Sequence, residues 1–400
     1  MSGDPRRDVV AEQYERWVYP EPIEDIPAWL KHSWQWFDPS HAHRLMWPDR
    51  PYRPDLQILV AGCGTHQAAV LAHTNPAATI VAIDVSEASL AHHRVLKERF
   101  GLRNLELHHL AIENVAALDR DFDLIVSTGV LHHLADPQAG MNALAACLRP
   151  DGVVALMLYA RYGRLGVEVM ESVFDDLALV QDEHGVAIVR DALAVLPPQH
   201  PVRSYLSIAP DLAFDAGLVD TFLHGRARNY TVDECIDLVE QSGLVFQDWL
   251  LKSSYEPVRV PGSTFLSAVS DLPDRTRWSV MERITTTNAC HFLLACRPER
   301  PVDRYRIDLR SDRASKYIPS YRHHCGVEGD TLVKPGWRET LTGTYPRIAS
   351  LIDGQRTLGA IADMTVAPGE DRDEVRTVVL VFLETLWHQD YVALGLPPTS

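Results

Sequence analysis

Ile58-Leu59-Val60-Ala61-Gly62-Cys63-Gly64-Thr65-His66-Gln67 is the stretch on which the reading of this chain turns. An apolar run ending in a Gly-x-Gly bend predicts a buried strand, a tight turn, and a helix over residues 67–73. Gly62 and Gly64 lack a Cβ, so the backbone can bend sharply there and let a ligand lie against it. A helix starting at such a bend aims its free N–H groups and positive dipole end at that ligand. Open α/β sheets hold nucleotide-like groups in this way, at the carboxyl end of the first strand.

The residues that follow extend the pattern. Thr79-Ile80-Val81-Ala82-Ile83-Asp84-Val85 is a second apolar run that closes on a carboxylate, placed to accept hydrogen bonds from both hydroxyls of a ribose. Further strands are predicted at 105–109, 122–127 and 152–159. The last is entered through Leu148-Arg149-Pro150-Asp151-Gly152. Short apolar strands alternating with helical stretches predict a mostly parallel, doubly wound sheet covered on both faces.

These pieces together resemble the class I S-adenosylmethionine-dependent methyltransferases. The resemblance rests on Gly62-Cys63-Gly64-Thr65, Asp84 at the second strand tip, Val130-Leu131-His132-His133-Leu134 after the fourth strand, and Leu148–Gly152. It continues through Asn229-Tyr230-Thr231-Val232-Asp233-Glu234 and two more strands at 245–251 and 290–297, covering residues 55–298. It implies a seven-stranded sheet and S-adenosyl-L-methionine as cofactor. It also implies cofactor contacts at Tyr14, Ala61, Gly62, Cys63, Gly64, Gln67, Asp84, Val85, Ala111, Ile112, Ser127 and Thr128. The chain departs from the family pattern at Val60, where an acid is usual, at His66, where glycine is common, and at Ala111, near the place of an acid that meets adenine. Glu113 stands two residues beyond. A nicotinamide dehydrogenase would want a third glycine where Gln67 stands.

A formal charge of −16 over 400 residues argues against tight nucleic-acid binding, which needs a basic face. The six cysteines, at 63, 147, 235, 290, 296 and 325, form no C-x-x-C pair, and no metal site is expected. His323-His324-Cys325 does not change this, because adjacent side chains rarely converge on one ion. His92-His93 and His108-His109 are expected to be partly exposed. No apolar run long enough for a membrane span or leader is seen, so the expectation is a cytoplasmic protein.

Three regions are expected: an aromatic, helical lid (1–54), the cofactor-binding domain (55–298) with a helical cap insertion at 160–228, and a small C-terminal domain (299–400). The lid holds Trp17, Trp29, Trp34, Trp36 and Trp47. The cap is far longer than a strand-to-helix connection needs. In the C-terminal region helices are predicted at 337–353, 357–364 and 371–389, and a strand at 391–394. Leu351–Ala362 resembles the core of small winged-helix peptide-binding domains. The third helix mixes acids and bases, which favours a protein or homodimer contact over DNA.

Methyl transfer needs alignment and exclusion of water, and a base only if the nucleophile must lose a proton. His133, His132 and Tyr159 are the candidate catalytic residues; Arg161 and Arg164 could grip a substrate carboxylate. The sequence thus leads to methyl transfer onto an O or N atom of a small molecule. A peptide acceptor guided by the C-terminal domain, or a cofactor-binding regulatory module without catalysis, are the alternatives.

Overall fold

The computed structural model describes residues 8–258 and 260–396. The chain divides into two compact units. The first takes the chain through Phe37, Pro54–Phe246 and Asp274–Glu299. The second takes Asp38–Arg53, Gln247–Pro273 and the chain from Arg300.

Seven strands form one sheet: β1 (Gln57–Ala61), β2 (Thr79–Asp84), β3 (Leu105–His109), β4 (Phe122–Thr128), β5 (Leu148–Tyr159), β6 (Val245–Trp249) and β7 (Cys290–Cys296). Their order is β3-β2-β1-β4-β5-β7-β6; β1 to β5 pair in parallel and β7 runs antiparallel to β5. The central strands are buried on both faces, and so read as continuous apolar runs rather than as alternation. The strand order reverses beside β1, between β2 and β4, and the crevice at their carboxyl ends is where such sheets take ligands. The Leu148–Gly152 signal lies inside β5, where the pairing with β4 shifts register between Phe122 and Leu124. Asp123 fixes that corner: one carboxylate oxygen accepts from the Gln57 amide at 2.8 Å and from Arg149 at 2.7 Å.

The insertion after β5 folds into helices Leu165–Asp176, Glu183–Val195, Val202–Leu206 and Asp215–Phe222. It has its own core, in which Val167, Phe174, Val189, Val202, Leu218 and Phe222 are buried together. The N-terminal helix Val9–Arg16 is tied to this cap. Asp8 pairs with Arg226 at 2.6 Å, and buried Gln13 accepts from Gln181 at 2.7 Å.

In the second unit β8 (Ile318–Tyr321) pairs with β12 (Val392–Gly395). β9 (Gly326–Glu328), β10 (Thr331–Lys334) and β11 (Trp337–Thr340) form a small antiparallel sheet. Helices Tyr345–Ser350, Leu358–Thr365 and Arg372–His388 close a core around Ile348, Ile361, Val379 and Leu383. Residues 337–353 are therefore not one helix. Lys334 pairs with Trp337 across a two-residue Pro335-Gly336 turn, so the segment starts as a hairpin. Residues 38–53, expected with the lid, belong to this unit: Arg44 donates to the Gly354 carbonyl at 2.9 Å, and Arg300 to that of Met46 at 3.1 Å. His93 is also corrected. It is fully buried, bonded to the Ser89 carbonyl, and burial pushes its imidazole down to about 4.

Candidate active site

A cavity of about 400 Å³ opens at the carboxyl ends of β1, β2 and β4, beneath the cap and the N-terminal helix. Its floor is the glycine bend. Gly62 sits at φ +76°, and a Cβ there would lie 2.4 Å from a Val130 methyl, so only glycine fits. Gly64 is likewise at φ +54°. The Gly62 and Cys63 amides both donate to the Ile83 carbonyl, at 2.9 and 3.1 Å, which pins the bend to the tip of β2. Asp84 accepts from the Gly64 amide and from the Ser86 amide, each at 2.9 Å. Burial nevertheless pushes its carboxyl up to about 6, against the lowering effect of these amides.

At the cap end the polar groups are side chains. Asp220 receives two hydroxyls: Tyr14 donates to it at 2.7 Å and Tyr159 at 2.9 Å. Burial, reinforced by the Asp220 charge, raises both phenols well above their usual range, so both stay protonated as donors. His133 donates from Nδ1 to the Arg226 carbonyl at 2.8 Å, since a carbonyl can only accept. Its Nε2 is thus a lone pair, buried and without a partner among the described residues. Burial holds this imidazole below its ordinary range, with the Asp220 charge opposing. His132 has the opposite tautomer: its Nδ1 accepts the Tyr159 amide at 3.4 Å, which leaves the proton on Nε2. Only His133 of this pair presents a basic nitrogen.

His133, Asp220 and His224 bring ligand-type atoms within 4.8 Å of one another, a spacing that would suit a metal. Hydrogen bonds engage two of the three, Asp220 and His224, and leave His133 Nε2 free. The Arg226 amide donates to His224 Nδ1 at 2.9 Å, so His224 carries its proton on Nε2 and donates to the Tyr14 oxygen at 3.3 Å. The cluster is a hydrogen-bond chain, from His224 through Tyr14 to Asp220.

Of the residues picked from the sequence, Tyr14, Gly62, Cys63, Gly64, Gln67, Asp84, Val85, Ile112, Thr128, His133 and Tyr159 line the cavity. Ala61, Ala111, Ser127 and His132 are buried behind its wall. Ser127 donates to the Ala61 carbonyl at 3.0 Å, and His132 stacks on Tyr159 with ring centres 3.9 Å apart. Gln67 donates to Thr128 at 2.9 Å and to Gln35 at 3.1 Å. Sequence reasoning missed Tyr19, Gln35, Tyr205, Asp211, Asp220 and His224. Tyr19 lies in the aromatic N-terminal segment, two residues after Trp17; the cap residues carry no spacing signal.

Comparison with known proteins fits this architecture. Residues 59–154 match the family described as Methyltransferase domain. An uncharacterized protein of Synechococcus sp. is 33% identical over 266 residues, covering 64% of this chain and 63% of its own length. The tRNA 5-carboxymethoxyuridine methyltransferase of Escherichia coli is 28% identical over 170 residues, 42% of this chain and 61% of that enzyme. The chain therefore spans about three fifths of each of these relatives. Among solved structures, PKMT2 from Rickettsia typhi superposes with a TM-score of 0.67 at 14% identity, over 91% of this chain and 76% of that one. The fold and the glycine-floored pocket are those of a Rossmann-like methyltransferase domain. Residues 59–154 are thus a methyltransferase domain, set in a sheet with the fold of the class I S-adenosylmethionine-dependent methyltransferases, and S-adenosyl-L-methionine is the cofactor of such a domain.

Proposed function

We propose that the chain transfers a methyl group from S-adenosylmethionine to a protonated oxygen or nitrogen of a small acceptor, with His133 receiving the proton. The observation that carries this reading is the unpartnered Nε2 of His133, buried in the wall of the cavity floored by Gly62 and Gly64. A fixed, neutral imidazole with its lone pair free is a general base.

The residues present fit the cofactor. Asp84 has lone pairs left for ribose hydroxyls, the Gly62–Gly64 backbone leaves room for close approach, and Val85, Ile112 and Leu134 offer apolar edges for a purine. When bound, the cofactor supplies a methyl carbon made electrophilic by a sulfonium. The acceptor would gain that methyl group, and the neutral thioether of the demethylated cofactor would be the leaving group. His133 Nε2 takes the acceptor's proton. Tyr14 and Tyr159, held by Asp220, keep their hydroxyl oxygens fixed at the wall and help exclude water.

The cavity volume favours a small acceptor over a folded macromolecule. The relatives' names give trans-aconitate and 5-carboxymethoxyuridine of tRNA as acceptors, and one is an O-methyltransferase of ubiquinone biosynthesis. Incubating the chain with cell metabolites and cofactor should give one compound a mass gain of a single methylene, with matching release of S-adenosylhomocysteine. If the label goes instead only to protein or RNA, the small-molecule reading is lost. If cofactor binds but never turns over, the chain is a binding module.

A further inference from the structure

We infer that the acceptor carries a carboxylate and that Arg164 holds it; this rests on the methyltransferase reading of the same cavity. Arg164 follows β5 and opens the cap helix Leu165–Asp176. Its side chain is 1% exposed. The guanidinium lies 3.8 Å over the Tyr159 ring and 5.0 Å from that of Tyr205, and Nη1 donates to the Tyr205 hydroxyl at 2.7 Å. Nε and Nη2 are buried and have no partner among the described residues. Those two nitrogens form one edge of the guanidinium, the side-on edge that grips a carboxylate through two parallel hydrogen bonds.

A guanidinium cannot shed its charge, so burying one without a counter-charge is costly. Arg161, three residues earlier, pairs with Glu234 at 3.2 Å, and buried Arg300 reaches Asp49 at 3.4 Å. Among the described residues Arg164 makes no ion pair: the Glu171 and Asp211 carboxylates act on it through space but neither bonds it. The nearby Asp211 carboxylate is taken by the Tyr19 hydroxyl at 2.8 Å. Two donors remain unused on a permanent charge, beside a cavity wall made of Tyr159, Tyr205, Ile208, Ala289 and Cys290. The missing counter-charge arrives with the ligand.

The position also sets the ligand's size. The His133 ring meets Tyr159 edge-on at 5.6 Å between centres, and Arg164 lies over the face of the same ring. One tyrosine thus separates the proton acceptor from the anion anchor. The acceptor is a compact hydroxy- or amino-carboxylic acid: its hydroxyl or amine reaches His133 while its carboxylate docks on Arg164. Arg164 lies behind the lining residues Tyr159 and Tyr205, so docking of the carboxylate requires the Tyr205 ring to swing aside.

The full chain, saturated with S-adenosylhomocysteine, should be titrated calorimetrically with para-hydroxyphenylacetate, its amide, and phenyl phosphate. The acid should bind at least about tenfold more tightly than the amide, a margin set by a buried bidentate pair. Arg164→Gln should abolish that preference while leaving S-adenosylhomocysteine affinity unchanged, and Arg164→Lys should restore part of it. Equal affinity for acid and amide in the native chain, no binding of the acid, tighter binding of phenyl phosphate than of the acid, or an acid preference that survives in Arg164→Gln would each overturn the inference. The native acid-to-amide comparison stands even if the variants do not fold. Failure to bind S-adenosylhomocysteine at all would count against the methyltransferase reading instead.

Discussion

The two ends of the cavity are built from different materials. At the glycine end, the polar contacts are main-chain amides: those of Gly64 and Ser86 donate to the Asp84 carboxylate, and those of Gly62 and Cys63 to the Ile83 carbonyl. At the cap end they are side chains from distant segments: Tyr14 from the N-terminal helix, His133 from the turn after β4, Tyr159 from β5, Asp220 and His224 from the insertion. A backbone site depends on the bend and tolerates side-chain change, which is why Val60 and His66 can depart from the family pattern. A side-chain site depends on each residue, and so it is where a substrate preference can be set.

If this contrast is right, the two ends should respond differently to mutation. His133→Ala should give the largest effect, a fall in turnover of about 10²–10⁴-fold, the usual worth of a positioned base, with cofactor affinity unchanged. Single-turnover kinetics beside cofactor titration separates the two. Normal turnover would mean the acceptor has no proton to lose. Asp84→Ala should do the converse, weakening cofactor binding by about 1–3 kcal/mol through lost charged hydrogen bonds. Unchanged affinity in a folded variant would remove Asp84 from the ribose site.

Acidity sharpens the same contrast. Asp84, raised to about 6 from an ordinary value of 3.8, is costly to ionise in the folded chain. The free protein should therefore lose a little stability as pH rises through that window, because the unfolded chain gives up this proton first. Cofactor binding should move the other way. Below about pH 6 the carboxyl protonates and accepts fewer hydrogen bonds, so affinity should fall by up to about tenfold per pH unit. Calorimetric titrations and melting curves between pH 4 and pH 8 would show whether the opposed slopes occur; an affinity flat across that range would remove Asp84 from the binding equilibrium.

The same division explains what could be read from the sequence. Gly62, Gly64 and Asp84 announce themselves because a bend and a strand tip recur at fixed spacing. Strands β1, β2 and β4 were legible because both faces are buried and their central residues form unbroken apolar runs. Ala61, Ala111 and Ser127 lie in or beside the same elements but behind the cavity wall, a distinction that element spacing alone does not reveal. Asp220 and His224 were invisible: they sit in a long insertion and meet Tyr14 only through the tertiary fold, 206 and 210 residues away. The sequence likewise ran residues 38–53 together with the aromatic lid. Its tryptophans suggested continuity, whereas Arg44 bonds carbonyls at 318 and 354.

The smallest expected effect tests whether the arginines after β5 are distinct. Arg161 and Arg164 stand three residues apart and looked interchangeable in the sequence. Arg161 is over a third exposed, pairs with Glu234 and donates to the Asn229 carbonyl. Such a pair is screened by water and worth about 0–1 kcal/mol. Arg161→Gln should therefore lower the melting temperature by only a few degrees at most, and should leave the acid-to-amide binding ratio where the native chain has it. A loss of that ratio in Arg161→Gln would place the anion site at the mouth of the cap, on the exposed arginine, and not behind Tyr159.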